Sequence, residues 1–501
     1  MNSRCGAVFI AAAHKSSGKT TVAMGLLRAL SESGQSVQPF KKGPDYIDPM
    51  WHARACGRPS YNLDFNTQEP SEMLRLFGER AHGAEIALIE GNKGLYDGVA
   101  LDGSNSNAEL AKLLRVPVVL VDCEGITRGI APLLIGYRAF DPDVNIAGVI
   151  LNKVAGSRHE GKLRAAVEHY CDLRVLGAVR RTQELSVRER HLGLTTPGEM
   201  DAVEQRIGRI ASVIREGIDL NAIRAIAASC ELVTTPPARN TSLPSNGTSL
   251  RIAIARDAAF GFYYPDDLEA FRAAGCELRF FDALRDQRLP DADGLFIGGG
   301  FPETNLAALE SNAPLRSLIR SAIEGGLPTY AECGGLMYLC RSIAYQGATC
   351  EMVGAIPAEA VMCDQPQGRG QVCLMETMSC PWPAAGEHGG AGFTITCHEF
   401  HYAALRDLRA GLLFAYDVVR GDGMALVRGG ALAGGRGGMG AGTPRAASTP
   451  QRQTSRNRWV DRFVGFMRHC RGNSTRSANA FPVRGNEAGG HKQSMQGETA
   501  A

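Results

Sequence analysis

The sequence predicts an α/β protein of two domains in tandem, and three observations predict it. Short apolar runs alternate with helical stretches up to about residue 230, the pattern of buried parallel strands joined by crossover helices. A Gly-Lys-Thr turn stands between the first run and the first helical stretch. Residues 233–249 (VTTPPARNTSLPSNGTS) then lose all periodicity before a new strand pattern starts at Arg251 with RIAIA, so a linker separates two domains. A chain of 501 residues is long enough for each domain to bury its own core.

In chain order, the strands of the first domain (residues 1–232) are expected at Ala7–Ala12, Glu85–Ile89, Val116–Val121 and Ala147–Leu151, with a first helix over Thr21–Leu30. The second domain, residues 250–470, opens on RIAIA and continues through strands near Leu295–Ile297 and Pro328–Ala331, with regular patterning to about Val419. Residues 424–456 are atypical: they are rich in Gly, Ala, Arg, Ser and Thr and hold no acidic residue. Such a segment buries too little apolar surface to offset its ordering entropy. An amphipathic turn returns at Trp459–Met467, and residues 471–501 read as a disordered tail.

Composition narrows the function. Lys and Arg number 54 against 52 Asp and Glu, a formal charge of +2, so neither nucleic acid nor an anionic membrane is the expected partner of the whole chain. The apolar run next to Met1 is too short for a signal peptide, and no run approaches the roughly 18 residues of a membrane span. The reading is a cytoplasmic protein. Its 14 cysteines include no C-x-x-C pair, which argues against a zinc site, and the reducing cytosol expected for it argues against a disulfide framework.

Residues Ala13–Thr20 (AHKSSGKT) follow a strand and precede a helix, as a phosphate-binding P-loop requires. Backbone N–H groups around Gly18 and at the helix start through Thr21 would cradle phosphate oxygens. Lys19 would reach the β and γ phosphates, and the Thr20 hydroxyl can ligate Mg²⁺. Ala13 replaces the usual first glycine. The bland alternative, a Ser/Gly turn with a solvated lysine, leaves the GKTT at the helix start unexplained. Lys15 either contacts nucleotide or stands in solvent.

Two acidic groups of residues face the same loop in sequence logic. Lys41-Lys42-Gly43-Pro44-Asp45-Tyr46-Ile47-Asp48-Pro49 is a turn carrying two lysines and two carboxylates, and a strand delivers Glu90 just before Gly91-Asn92-Lys93-Gly94-Leu95-Tyr96-Asp97-Gly98. Carboxylates at the C-terminal ends of parallel strands beside a phosphate loop are where Mg²⁺ ligands are expected. The alternative is that Asp45, Asp48 and Asp97 only cap turns.

HKSSGKTTVA, FKKGPDYIDP, EGNKGLYDG, IGGGFPE, YAECGGLMYL and HEFHY occur in the order found in cobyrinate a,c-diamide synthases, and residues 5–422 resemble that family. The resemblance implies an N-terminal domain similar to dethiobiotin synthetase that uses ATP and Mg²⁺, and a C-terminal glutamine amidotransferase domain of the class I type. It implies ATP-dependent amidation of the a and c side-chain carboxylates of cobyrinic acid, with glutamine as nitrogen donor. It also implies that Asp45, Asp48, Glu90 and Asp97 hold metal or activate substrate, and that Tyr46 and Ile47 touch the corrinoid. Lys41 and Lys42 supply further positive charge there. A carboxylate does not accept ammonia directly, so an acyl phosphate intermediate is the expected route. Hydrogenobyrinic acid is a close alternative substrate, and a non-catalytic nucleotide switch is the rival from another class; the retained carboxylates argue against the switch. A homodimer is left open.

Cys333, in Thr329-Tyr330-Ala331-Glu332-Cys333-Gly334-Gly335, sits between a strand and a helix like a nucleophile elbow, where a helix N-terminus favours thiolate. Gly299 and Gly300 offer backbone donors for an oxyanion. The alternative is a buried structural cysteine. A thiolate of this kind wants a histidine base, which in the family sits in an S-Y-x-H-like segment before a W-x-x-R-F helix; between His401 and His469 the chain has no histidine. His398 and His401 are the nearest substitutes, with His401 taken as the candidate. Three explanations stand for residues 424–456: a compensated frame shift beginning near Gly423, a divergent loop with the histidine lost, or recruitment of His401.

Overall fold

The computed structural model describes residues 3–122, 125–182, 185, 189–190, 193–199, 202–230, 232–234, 249–382, 393–408, 413–422, 429–433 and 459–478. In the N-terminal half, β1 (Ser3–Ala11), β2 (Val37–Lys42), β3 (Tyr61–Leu63), β4 (Ile86–Glu90), β5 (Val118–Asp122), β6 (Ile146–Val154) and β7 (Val175–Arg180) form one parallel sheet in the order β3-β2-β4-β1-β5-β6-β7. The four strands read from sequence are all present, shifted by a few residues at their ends; Val37–Lys42, which takes Lys41 and Lys42 out of the expected turn, and Tyr61–Leu63 and Val175–Arg180, too short or too mixed to announce themselves, are additions. Alternation along β1 sends Ala7, Phe9 and Ala11 into one core layer and Val8 and Ile10 into the other, the period-two rule of a doubly covered strand.

Helices α1 (Lys19–Glu32) and α2 (Ile47–Cys56) cover one face together with Val203–Gly217 and Leu220–Ala228. Gly25 lets Val203–Gly217 approach α1: a Cβ there would lie 2.3 Å from Ile214 Cγ1. The other face is covered by Pro70–Ala81, Asn107–Leu114, Ile130–Phe140 and Ser157–Tyr170. Pro70–Ala81 starts on a capping box in which Glu69 and Glu72 exchange bonds with each other's backbone. Because β1 lies between β4 and β5, the chain switches direction at β1, and the C-terminal ends of β1, β2, β4 and β5 converge where open α/β sheets bind ligands.

The sheet acquires an eighth strand at the foot of β1, where Leu232–Thr234 pairs antiparallel with Ser3–Cys5. The composition placed residues 233 and 234 in the linker; their backbone ladder to β1 assigns them to the first sheet. Residues 235–248 of the expected linker lie outside the described residues.

The C-terminal half opens on a parallel sheet ordered Cys276–Phe281, Leu250–Ala255, Gly294–Ile297 and Thr329–Ala331. Beyond it stand two four-stranded sheets that the sequence did not announce, one spanning Cys340–Met362 and Ala403–Arg406, the other Gly368–Glu376, Thr394–His401, Leu413–Arg420 and Gly429–Ala433. The last strand falls inside the atypical segment and is held by backbone pairing to Leu413–Asp417; residues 424–428 and 434–456 lie outside the described residues. The final helix spans Trp459–Ala478, eight residues past the expected domain end, and the rest of the predicted tail, residues 479–501, is also outside. Trp459 stacks on Tyr330 at 4.2 Å between ring centres and packs against Phe271 and Phe296. Among the described residues no helix is long and apolar enough to cross a membrane.

Candidate active site

The phosphate loop leaves β1 and turns through Ser16 and Gly18, both in the left-handed region (φ 66° and 85°). Glycine is required at Gly18 twice over, by that φ and because a Cβ would lie 2.3 Å from Asn152 Nδ2. Asn152 donates to the Ser17 carbonyl at 2.7 Å and Lys153 to that of Ser16 at 2.7 Å, so the end of β6 braces the loop. Lys19 is buried and its ammonium donates to the Lys93 carbonyl at 2.6 Å. Burial pulls Lys19 down to about 8, against the attraction of Glu90. Lys15 stands exposed; Thr21 lies in the first turn of α1.

The expected carboxylates gather around Lys41. Its ammonium, at the end of β2, lies 2.5 Å from Asp48 Oδ2, 2.9 Å from Glu90 Oε1 and 3.9 Å from Asp45 Oδ2. Thr20 Oγ1 donates to Glu90 Oε1 at 2.7 Å and to Asp48 Oδ2 at 3.2 Å. Burial alone would raise the Glu90 carboxyl, but Lys41 and then His52 outweigh it and hold it below its usual value. For Lys41, burial acts downward and the pull of Asp48 and Glu90 prevails, raising it. Asp45 is pushed up to about 7 by burial and then by Asp48; its side chain keeps 31% of its surface, so solvent moderates the effect. Asp45 Oδ1 also accepts from the N–H groups of Ile47 and Asp48 at the start of α2.

Asp97 does not join that cluster through any described bond; it accepts from the Gly94 N–H at 2.8 Å, closing a turn that abuts the Ala13 carbonyl. Lys42 is buried and donates to the Asn105 carbonyl at 2.7 Å, and burial lowers it to about 8. Among the described residues no three His, Cys, Asp or Glu side chains are grouped so that they alone could hold a metal ion. Mg²⁺ does not need one, since it is held by one or two carboxylates, hydroxyls, waters and substrate phosphates. Asp48 and Glu90 are hard oxygen donors already gathered around a cation, the Lys41 ammonium, and the Thr20 hydroxyl bonds both of them; the three fit that ion.

Cys333 follows the strand Thr329–Ala331 in a strained backbone conformation, φ 43° and ψ −109°, of the sort kept at nucleophile elbows. Glycine at 300 is required by close approach, since a Cβ there would lie 1.9 Å from the Ala259 carbonyl oxygen; a Cβ on Gly299 would press on Phe262 Cδ2 at 3.1 Å and meet Cys333 Cβ at an ordinary contact distance of 3.5 Å. The thiolate advantage expected from the helix start is outweighed, because burial and then the Glu303 carboxylate push the thiol up to about 12. No histidine acts on Cys333 among the described residues. The His401 ring Nδ1 lies 2.9 Å from the Ala403 carbonyl and Nε2 4.0 Å from Glu399, on a different sheet, so no described contact joins the two residues. Alkylation of Cys333 by iodoacetamide is therefore expected to be slow at pH 7 and to quicken about tenfold per pH unit up to pH 9.5, which mass spectrometry of the labelled peptide would show; a plateau below pH 8 would contradict the geometry.

Residues 8–193 match a family described as the CobQ/CobB/MinD/ParA nucleotide binding domain, and residues 251–440 match the CobB/CobQ-like glutamine amidotransferase domain. The second match runs past Gly423, where family-like sequence was expected to stop. The chain is 44% identical over 422 residues to the cobyrinate a,c-diamide synthase of Magnetococcus marinus, covering 83% of this chain and 89% of the relative. The chain belongs to the cobyrinate a,c-diamide synthase family. Other members with that name are 39% identical over 457 residues in Methanosarcina acetivorans (85% of this chain, 90% of the relative) and 38% over 408 residues in Salmonella typhimurium (80% and 87%). The chain thus carries a nucleotide-binding domain and a glutamine amidotransferase domain, as the resemblance implied.

Within this family member, Tyr46 and Ile47 do not stand open to a substrate. Both are buried, and the Tyr46 ring stacks on Phe262 (5.2 Å, 7°) and Tyr264 (4.4 Å, 23°) of the amidotransferase half. Phe262 pairs in turn with Gly299 beside Cys333. Tyr61 and Arg80 both reach Glu269, and Asn66 exchanges bonds with Thr396 and Cys397, so the joint is polar at its edge. Tyr46→Ala is expected to cost about 3 kcal/mol of stability, read as a lower midpoint in urea unfolding; an unchanged midpoint would contradict the stacked joint.

Sequence reasoning passed over His52. It is fully buried on α2, with Nε2 2.6 Å from Glu90 Oε2. The signal was the spacing Asp48-x-x-x-His52, which puts both side chains on one helical face.

Proposed function

We propose that this protein, acting in the cytoplasm, amidates the a and c acetate carboxylates of cobyrinic acid, using ATP and Mg²⁺ for activation and glutamine as the nitrogen source. The gathering of Thr20, Lys41, Asp48 and Glu90 at the phosphate loop carries this reading. A nucleotide switch has no use for so many buried carboxylates beyond the loop.

A substrate carboxylate oxygen attacks the γ phosphorus, an O–P bond forms, and ADP leaves. Ammonia then attacks the acyl carbon, the C–O bond breaks, and phosphate departs with that oxygen. Backbone N–H groups of the loop and Lys19 bind the phosphates and offset the charge that develops on the transferred group. Mg²⁺, when held by Thr20, Asp48 and Glu90, supplies further positive charge to the β and γ phosphates. Lys41 holds Glu90 ionised and, bonded to both carboxylates, orients Asp48 and Glu90. Asp45, the most exposed carboxylate around Lys41, and Lys42 are assigned to the substrate side. In the second half, the Cys333 sulfur attacks the glutamine carboxamide carbon, Gly299 and Gly300 N–H groups stabilise the oxyanion, the C–N bond breaks to release ammonia, and water hydrolyses the remaining thioester to glutamate and the free thiol.

Purified protein would be incubated with ATP, Mg²⁺ and cobyrinic acid, with either glutamine or ammonium, and the amides counted by mass. Two amides from glutamine support the full reading. Two from ammonium alone support the synthetase and remove the glutaminase step, and none from either source sinks the proposal.

A further inference from the structure

We propose that His52 is a positioning residue that fixes the orientation of the Glu90 carboxylate toward the phosphate loop. The two oxygens of Glu90 are divided: Oε1 accepts from Thr20 at 2.7 Å and from Lys41 at 2.9 Å, while Oε2 is held by His52 Nε2 at 2.6 Å. A carboxylate tied at one oxygen only can rotate about its terminal bond, which is broad and soft. Tied at both, it presents Oε1 to the nucleotide side in one direction.

The ring is itself oriented. Its Nδ1 lies 3.4 Å from Ser60 Oγ, so both ring nitrogens have a partner and the ring cannot turn without losing one. His52 is four residues after Asp48 on α2, and the two side chains reach the same pair of strand ends, Asp48 through Lys41 and His52 through Glu90. One helical face therefore sets both carboxylates around Lys41. A histidine kept only for packing makes a poor core residue. Its two nitrogens lose water at 0% exposure, and leucine would fill the space without that cost. Partners that orient carboxylates and imidazoles around a metal are worth about 10- to 100-fold in metal affinity.

This inference rests on Glu90 serving the nucleotide–metal site. The test compares wild type, His52→Gln, which can still donate from a similar position, and His52→Asn, which is too short to reach Glu90 yet small enough to be accommodated. Mn²⁺ binding in the presence of a non-hydrolysable ATP analogue is measured by electron paramagnetic resonance, beside ammonium-driven amidation. The expected result is Mn²⁺ affinity within about threefold of wild type for His52→Gln and weakened at least tenfold for His52→Asn. Amidation should follow the same order, with the KM for ammonium unchanged. Equal affinity in wild type and His52→Asn would overturn the positioning role and leave the Glu90 reading intact. Equal weakening in both variants would also overturn it, as a packing effect. Absence of nucleotide-dependent Mn²⁺ binding in wild type would sink both readings.

Discussion

Glu90→Gln is expected to lower amidation about 10³-fold from glutamine and from ammonium alike, roughly 4 kcal/mol of transition-state stabilisation. Three partners depend on that one carboxylate: Thr20 and Lys41 at Oε1 and His52 at Oε2. The amide keeps the shape but removes the negative charge that balances Lys41, which is only 3% exposed. Removing one partner of a buried charge outright costs about 3 to 5 kcal/mol. Asp48, 2.5 Å away, absorbs part of that loss. The variant should therefore fold, with a lower melting temperature, and fail in chemistry. Parallel loss from both nitrogen sources is the informative feature, because Glu90 acts on the carboxylate-activating step and not on ammonia supply. A variant that lost only the glutamine-driven rate would move Glu90 out of the synthetase step.

What was legible in the sequence was what is contiguous. AHKSSGKT is a single turn whose chemistry and position between strand and helix are both local. Cys333 was legible for the same reason, since strand, elbow and glycines follow one another. Lys41, Asp48 and Glu90 were suspected as a set because strand ends converge in a parallel sheet, but the sequence could not say that Lys41 would stand between the other two. Tyr46 has partners that the sequence could not show. Its neighbours Phe262 and Tyr264 come from more than 200 positions away, and a stacked joint between halves leaves no periodic trace. The strand Gly429–Ala433 was missed because its composition is that of a loop; pairing with Leu413–Asp417 supplies backbone order that side chains could not announce.

The end of the chain shows how the fold continues across that segment. Trp459 and Phe463 fill the core between Phe271, Phe296 and Tyr330, and Arg462 pairs with the fully buried Glu376 while donating to the Trp382 carbonyl. These residues belong to the W-x-x-R-F pattern that the family resemblance expects after the atypical stretch. The helix thus docks on the strand that leads to Cys333, through Tyr330, whose hydroxyl bonds Glu332. The scaffold of the elbow is complete from residues on both sides of 434–458, even though those residues hold no histidine.

Cys333→Ala is expected to reduce glutamine-driven amidation at least about 10³-fold while leaving the ammonium-driven rate within about twofold of wild type. The reasoning is geometric. Cys333 lies against Gly299 and Gly334, and no described bond joins it to Thr20, Lys41, Asp48 or Glu90. Removing one sulfur from a site of small neighbours alters packing little, so the synthetase half should keep its rate. The resting thiol, pushed up to about 12 by burial and Glu303, needs a group or a substrate-induced change that favours thiolate. If His401 supplied the base, His401→Ala would match Cys333→Ala in the glutamine assay; with its ring 2.9 Å from the Ala403 carbonyl and on another sheet, the expected loss is less than tenfold. Equal glutamine-driven rates in wild type and Cys333→Ala would show that this sulfur is not the nucleophile. A fall in the ammonium-driven rate as large as in the glutamine-driven one would instead place Cys333 within the path by which the halves, joined at Tyr46, Phe262 and Gly299, hold one another in register.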